Sequence, residues 1–208
     1  MSAGVLLIGA GGLAREVIAA GITGVTGILD DDTSLEGTEV SGVPVVGGVD
    51  DAAHRSEHLL VCIGPSAARR GVVRRLRRAG VGEDRFATFV ARSARIGTTS
   101  AIGAGSLVLD GVVVTADAVI GGHVVVMPNC VITHDDVIED CATLAAGVAL
   151  GGGVRVGEAA YIGMNASLRP GVTVGAEATV GMGAAVLVDV PATETWAGVP
   201  ARPLGVFA

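Results

Sequence analysis

Through the second half of the chain, aliphatic residues recur at every sixth position. Val90, Ile96, Ile102 and Val108 begin a series that runs in phase to Val180 and Val186. Four residues after each comes a second, mostly small residue, from Ala94 and Ser100 through Cys130 and Asp136 to Ala184 and Val190. Gly directly follows the aliphatic residue in many hexads, as at Gly97, Gly103, Gly163 and Gly181. This period predicts a parallel β-helix in which each hexad adds one wall and three hexads close a coil. The aliphatic residue should fill the interior, the small residue the corner, and Gly the turn angles that other residues resist. Residues eighteen apart then stack on one wall, about 4.8 Å apart.

The first part of the chain has a different rhythm. Val5-Leu6-Leu7-Ile8 reads as a buried parallel strand that enters Gly9-Ala10-Gly11-Gly12, and Leu13 to Ala20 has helical composition. Gly27-Ile28-Leu29 looks like a second strand ending at Asp30-Asp31-Asp32, and residues 42–47 like a loop with a short extended piece. Leu59 to Gly64 is a further strand, followed by an Arg-rich helix from Ser66 to Ala79 that Gly80 closes. Strands alternating with helices predict a small parallel α/β sheet, Rossmann-like, over residues 1–85, with the β-helix over 86–208. The glycine turn satisfies a relaxed dinucleotide fingerprint, with Ala14 in the third glycine place and Asp30 at a suitable distance for a ribose. Its physical content is that phosphate can approach backbone amides at a helix N-terminus. The same residues would also make a tight turn with no ligand. The segment is too short for the second half of a full NAD site.

Composition narrows the function. A net charge of −7 and only five aromatic rings argue against a nucleic-acid partner. All fourteen basic residues are Arg, which excludes Schiff-base chemistry and a Walker-type lysine. The run Arg69, Arg70, Arg74, Arg75, Arg77, Arg78 reads as a solvated helix face. Cys62, Cys130 and Cys141 have neither metal nor redox spacing and suit a reducing compartment. No signal-peptide pattern and no membrane-spanning apolar run is evident, so a cytoplasmic protein without a membrane partner is expected. Outward apolar residues at Leu107, Leu109, Val113 and Val125 predict that β-helix walls associate between copies.

One histidine stands out by its context. His54 and His58 lie in a polar stretch and His123 occupies an outward hexad position, all read as structural. His134 sits mid-array in Thr133-His134-Asp135-Asp136. A carboxylate beside an imidazole orients it and raises its basicity, which suits a general base. Neighbouring side chains on a strand point to opposite faces, so Asp135 reaches the ring only if the wall bends there, and Asp136 is the alternative. Asp136 also takes a corner position, where burial would need hydrogen bonds to offset it. Gly152 falls one coil beyond His134 within Gly151-Gly152-Gly153, so bare backbone amides there could polarise a carbonyl.

Taken together, these residues resemble the NeuD/PglD-like bacterial sugar acetyltransferases, which include sialic acid O-acetyltransferases and bacillosamine-pathway N-acetyltransferases. The likeness runs from Gly9-Ala10-Gly11-Gly12 through His134-Asp135 to Ala197-Gly198-Val199-Pro200-Ala201-Arg202, nearly the whole chain. It implies a homotrimer of left-handed β-helices with acetyl-CoA between neighbouring helices and a nucleotide-linked sugar on the N-terminal domain. It makes His134 the base, tuned by Asp135. Family acetyl-CoA contacts fall on Thr143, Gly152, Met164 and Met182, and sugar-nucleotide contacts on Gly11, Gly12, Leu13, Asp30, Asp31 and the Ile63-Gly64-Pro65 turn. The chain departs from the pattern at Leu13, where many relatives carry His. Some have His at Thr143, and Asp136 often corresponds to Cys.

The expected reaction is acetyl transfer to the amino group of a nucleotide-linked deoxyamino sugar. O-acetylation of a sugar is the nearest alternative, and a non-catalytic sugar-nucleotide-binding scaffold is the alternative of another class. A zinc enzyme of the γ-carbonic-anhydrase type shares the β-helix but needs three His ligands. The helix region offers only His123 and His134, so no metal is expected.

Overall fold

The computed structural model of the chain describes residues 4–205. Strand β1 (Val5–Ile8) is followed by helix α1 (Gly12–Ala19) and strand β2 (Val25–Leu29). β4 (Val43–Pro44) is the short extended piece expected within residues 42–47, and it pairs antiparallel with β3 (Glu39–Val40), a strand not expected, in a two-residue-per-arm hairpin. Strand β5 (His58–Val61) and helix α2 (Ser66–Arg78) complete this part. β1 lies between β2 and β5, parallel to both. Its apolar run has a simple cause: Leu6, Leu7 and Ile8 are all fully buried, as a central parallel strand covered on both faces requires. Leu6 and Ile8 pack with Val73 and Leu76 of α2, while Leu7 packs with Leu13, Ala14 and Val17 of α1.

From Phe89 onward the chain forms the left-handed parallel β-helix, with three sheets as its walls. The first wall includes Leu107–Val108, Val125–Val126, Thr143–Leu144, Tyr161–Ile162 and Thr179–Val180. The second includes Val113–Val114, Val131–Ile132, Ala149–Leu150 and Ser167–Leu168. The third includes Ala101–Ile102, Val119–Ile120, Val137–Ile138 and Arg155–Val156. The hexad aliphatics and corner residues from Val108 to Val190 form one buried core.

Three sequence expectations change. The glycine that follows each aliphatic residue is not the turn glycine. The left-handed backbone angle falls two residues later, at Asn129 (φ 61°), Asp135 (φ 62°), Asn165 (φ 56°) and Gly153 (φ 71°). The glycines at 103 and 163 are needed because the next coil passes so close. A Cβ on Gly103 would come within 2.5 Å of Gly121, and one on Gly163 within 2.6 Å of Met182.

The second change concerns Leu107, Leu109 and Val125. They are 0–1% exposed and pack against Leu7, Leu13 and Leu60, so the N-terminal sheet and α1 cover the first wall within a single chain. Each such side chain contributes about 1.5–3 kcal/mol to that docking. They leave nothing for another copy to cover. Val113 alone of the four stays half-buried on the second wall.

The third change is in α2. Arg74, Arg75, Arg77 and Arg78 are largely solvated or paired at the surface, but Arg69 is 0% exposed. It falls on the stripe Ser66, Arg69, Val73, Leu76, whose three-four-three spacing marks the buried face of a helix.

Candidate active site

His134 and its neighbours occupy the corner between the second and third walls. The left-handed angle at Asp135 bends the chain there, which carries the Asp135 carboxylate round to the imidazole. Asp135 Oδ2 lies 2.7 Å from His134 Nδ1, so this ring nitrogen donates to the carboxylate and Nε2 is left with its lone pair free. Both side chains are about two-thirds exposed. The hydrogen bond to Asp135, aided by its charge and that of Asp136, holds the His134 imidazole above its ordinary pKa.

The expected stacking of Gly152 is present. Gly153 N–H donates to the His134 carbonyl at 2.9 Å, and any Cβ on Gly152 would collide with His134 Cε1 and Nε2. The ring therefore lies over the glycine, whose own N–H has no acceptor among the described residues.

Asp136 does something else. It is 0% exposed, and its two oxygens accept from Thr133 N–H at 2.7 Å and Val154 N–H at 2.8 Å. Ser100 and Ser106 accept from the next coil in the same way, at Ala118 and Val124. Asp136 thus tethers a corner to the coil above, and it is Asp135 that partners His134. Burial pushes the Asp136 carboxyl up to about 6.

Of the residues expected to hold the sugar nucleotide, Gly12, Leu13, Gly64 and Pro65 meet elsewhere, while Gly11, Asp30, Asp31 and Ile63 do not line the same space. A cavity of about 620 Å³ lies between α1, the start of α2 and the first wall. Gly12, Leu13, Gly64, Pro65 and Ser66 form one side, and Met127, Thr143, Ala145, Tyr161 and Met164 the other. Gly11 and Gly12 stand exposed at the N-terminus of α1, with nothing within 4 Å of where a Gly11 Cβ would be. Leu13 is 7% exposed, its side chain packed into the core behind the cavity.

Asp30 and Asp31 are already occupied within the chain. Asp30 accepts from Ala10 N–H at 2.7 Å and Asp32 N–H at 2.9 Å, and so secures the glycine turn. Asp31 accepts from Val49 N–H at 3.1 Å and pairs with Arg75 at 2.6 Å. Thr143 is 4% exposed and its hydroxyl contacts Ser66 and Arg69 at 2.8 Å each. Met164 and Met182 are 47% and 73% exposed on the corner between the first and second walls.

The acetyl-CoA set is therefore split. Thr143, Met164 and Met182 lie on the first wall and its edge, whereas Gly152 lies with His134 on the corner opposite that wall. Within one chain the body of the β-helix separates the histidine from the cavity.

Sequence reading missed the burial of Arg69, and it took His123 as structural without foreseeing that it would be buried. Arg69 was hidden among other arginines, although its place on the apolar stripe of α2 marks it out. His123 is 1% exposed between the β-helix and Phe86, whose ring it meets edge-on at 4.5 Å. Neither of its ring nitrogens has a hydrogen-bond partner among the described residues. Burial drives its pKa down to about 4, helped by the cations Arg77 and Arg69. Among the described residues no group of three or more His, Cys, Asp or Glu is placed to hold a metal ion, and no helix is long and apolar enough to cross a membrane.

Residues 4–76 match the family model described as the PglD N-terminal domain. A His-to-Ala mutant of GDP-perosamine N-acetyltransferase from Caulobacter crescentus, solved with CoA and GDP-perosamine, is 34% identical with a TM-score of 0.88. That match covers 97% of each chain. The acetyltransferase domain of PglB from Neisseria gonorrhoeae, in complex with acetyl coenzyme A, is 31% identical with a TM-score of 0.88, over 98% of this chain and 100% of that one. WeeI from Acinetobacter baumannii aligns over 98% of this chain and 100% of its own at 25% identity and a TM-score of 0.69. No curated protein sequence matches the chain. The glycine turn, the β-helix with its cornered histidine, and end-to-end likeness to sugar acetyltransferases lead to one conclusion: the chain belongs to the PglD/NeuD-like family of sugar acetyltransferases.

Proposed function

We propose that this protein is an acetyl-CoA-dependent N-acetyltransferase of a nucleotide-linked amino-deoxysugar, acting as a homotrimer in the cytoplasm. The observation that carries the reading is the His134 imidazole, held at Nδ1 by Asp135 and seated over the bare Gly152 amide. Acetyl-CoA supplies the acetyl group, activated as a thioester. His134 Nε2 takes the proton from the acceptor amine as its nitrogen attacks, and Asp135 stabilises the imidazolium that results. Gly152 N–H donates to the carbonyl oxygen as negative charge develops on it. No side chain need become acylated.

The residues present suit such a donor. Exposed Met164 and Met182, eighteen residues apart, form an apolar rail along one corner, and the Gly152 amide points to the reacting end on another. Because these lie on different corners, a neighbouring copy has to bring them together. The second wall is suited to that contact: its outward residues from Val113 through Val131, Ala149 and Ser167 to Ala185 carry no charge. In this arrangement Gly11, Gly12 and the Gly64-Pro65 turn receive the nucleotide end of the acceptor at two helix N-termini. Three free, buried thiols at Cys62, Cys130 and Cys141 support a reducing compartment.

The test is thiol release from acetyl-CoA in the presence of nucleotide-linked 3-amino and 4-amino sugars. At least one amino sugar should be turned over, with Gly11→Val raising its KM and sparing acetyl-CoA binding. Release with hydroxy sugars only would make the reaction O-acetylation. Tight sugar-nucleotide binding with no turnover of any acceptor would make the protein a scaffold.

A further inference from the structure

Among the described residues Arg69 is the largest fully buried side chain, and no carboxylate there pairs with it. Its N–H groups are met by five carbonyls and one hydroxyl, drawn from both halves of the chain. Nη1 donates to the Ile63 and Gly64 carbonyls at 2.7 and 2.8 Å, in the segment that follows strand β5. Nε donates to the His123 carbonyl at 2.8 Å. Nη2 reaches the Cys141 and Ala142 carbonyls at 2.8 and 3.0 Å and the Thr143 hydroxyl at 2.8 Å. His123 and Cys141 are equivalent corner residues of successive coils, both with left-handed backbone angles (φ 55° and 58°). Ser66 extends the contact to a third coil by donating to the Ala160 carbonyl at 3.2 Å.

A planar guanidinium with five N–H groups can hold carbonyls on three segments in a fixed plane, which a lysine ammonium cannot do. The segment so held, Gly64-Pro65-Ser66, forms one wall of the 620 Å³ cavity. The Thr143 hydroxyl adds a longer bond to the Gly64 carbonyl at 3.3 Å, and Gly64 has no side chain of its own to pack the turn in place, so the two short bonds from Arg69 are its closest ties to the β-helix side.

We infer that Arg69 is the positioning residue for the acceptor, setting the Gly64-Pro65-Ser66 turn and the N-terminus of α2 at a fixed distance from the β-helix wall. This rests on the reading that the cavity takes the sugar nucleotide. Arg69 touches no substrate. Its effect is on acceptor affinity, while the His134 corner lies across the β-helix and is left undisturbed.

Two variants test it, each measured for acceptor KM, acetyl-CoA KM, kcat and thermal midpoint. Arg69→Lys keeps the charge but loses the planar fork. It should raise acceptor KM about tenfold or more, with acetyl-CoA KM and kcat within about twofold of wild type. Ser66→Ala leaves the buried charge satisfied and removes one tie of the same turn, so it should shift acceptor KM the same way by about threefold. It also serves if Arg69→Lys does not fold. A lowered thermal midpoint with unchanged acceptor KM in the folded variants would make Arg69 a structural staple only and overturn the inference. Calorimetry on the wild-type protein separates the two claims. If the nucleotide-linked amino sugar binds wild type and the variants alike, only the role of Arg69 fails. If it does not bind wild type, the acceptor reading of the cavity fails as well.

Discussion

His123 and His134 stand eleven residues apart on corners of the same β-helix, yet their surroundings drive them in opposite directions. His134 is two-thirds exposed, with one ring nitrogen held by Asp135 and a basicity above the ordinary value. His123 is 1% exposed, unpartnered at both nitrogens and lowered to about 4. What separates them is cover. The corner of His123 lies under α2 and Phe86, whereas among the described residues no element packs over the corner of His134. A repeat that gives every coil the same backbone leaves its chemistry to whatever docks outside it.

The largest test of this contrast is His134→Ala. A positioned general base contributes typically 10²–10⁴-fold, so kcat should fall by about that factor with acetyl-CoA affinity little changed. His123→Ala should leave the chemistry intact, and a comparable loss of kcat there would move the base to the wrong corner. Gly152→Ala comes next. The backbone at Gly152 is not in the left-handed region, so alanine is tolerated locally and its methyl acts by displacing the His134 ring. We expect kcat to fall about 10²-fold, within the range for disturbing an oxyanion donor. Unchanged turnover would mean that ring and amide do not act together.

The hexads made the β-helix legible because interior packing admits one aliphatic residue per wall, and that constraint leaves a period. The parallel strands β1, β2 and β5 were legible for a similar reason, as two-sided burial produces unbroken apolar runs. The His134–Gly152 stack followed from the eighteen-residue coil. The choice of Asp135 over Asp136 depended on a positive φ at a non-glycine residue, which no pattern announced. Docking of the N-terminal sheet on the first wall was equally hidden. Leu107, Leu109 and Val125 look the same in sequence whether another copy or the same chain covers them. Arg69 was misread as solvated because arginine so rarely lies fully buried without a carboxylate.

A smaller effect concerns acid stability. The folded pKa of His123, about 4, lies below the unfolded value near 6.5, so between those pH values the unfolded chain binds the proton and the folded one does not. Stability from this residue is therefore intact above about pH 6.5 and is lost as pH falls toward 4. Asp136 acts oppositely: its folded value of about 6 lies above the unfolded value near 3.9, so the native state gains stability across much of the same window. The two largely offset one another in the wild type. His123→Phe removes one side of that balance. Relative to wild type it should gain about 2 kcal/mol between pH 7 and pH 5 in denaturant unfolding, and a pH-independent difference would contradict the buried neutral state of His123.

The pairing of His134 with Asp135 as the base is tested most directly by the pH profile of kcat/KM for the wild type and for Asp135→Asn. His134 must be neutral to accept a proton, so the rate should rise with pH through its ionisation. Asp135 holds that ionisation above the ordinary imidazole value. Asp135→Asn should move the rising limb to lower pH and lower the plateau by about tenfold, as loss of a charge-assisted hydrogen bond to the base requires. A limb that stays in place with the plateau unchanged would show that the His134–Asp135 pair is not the base of this enzyme.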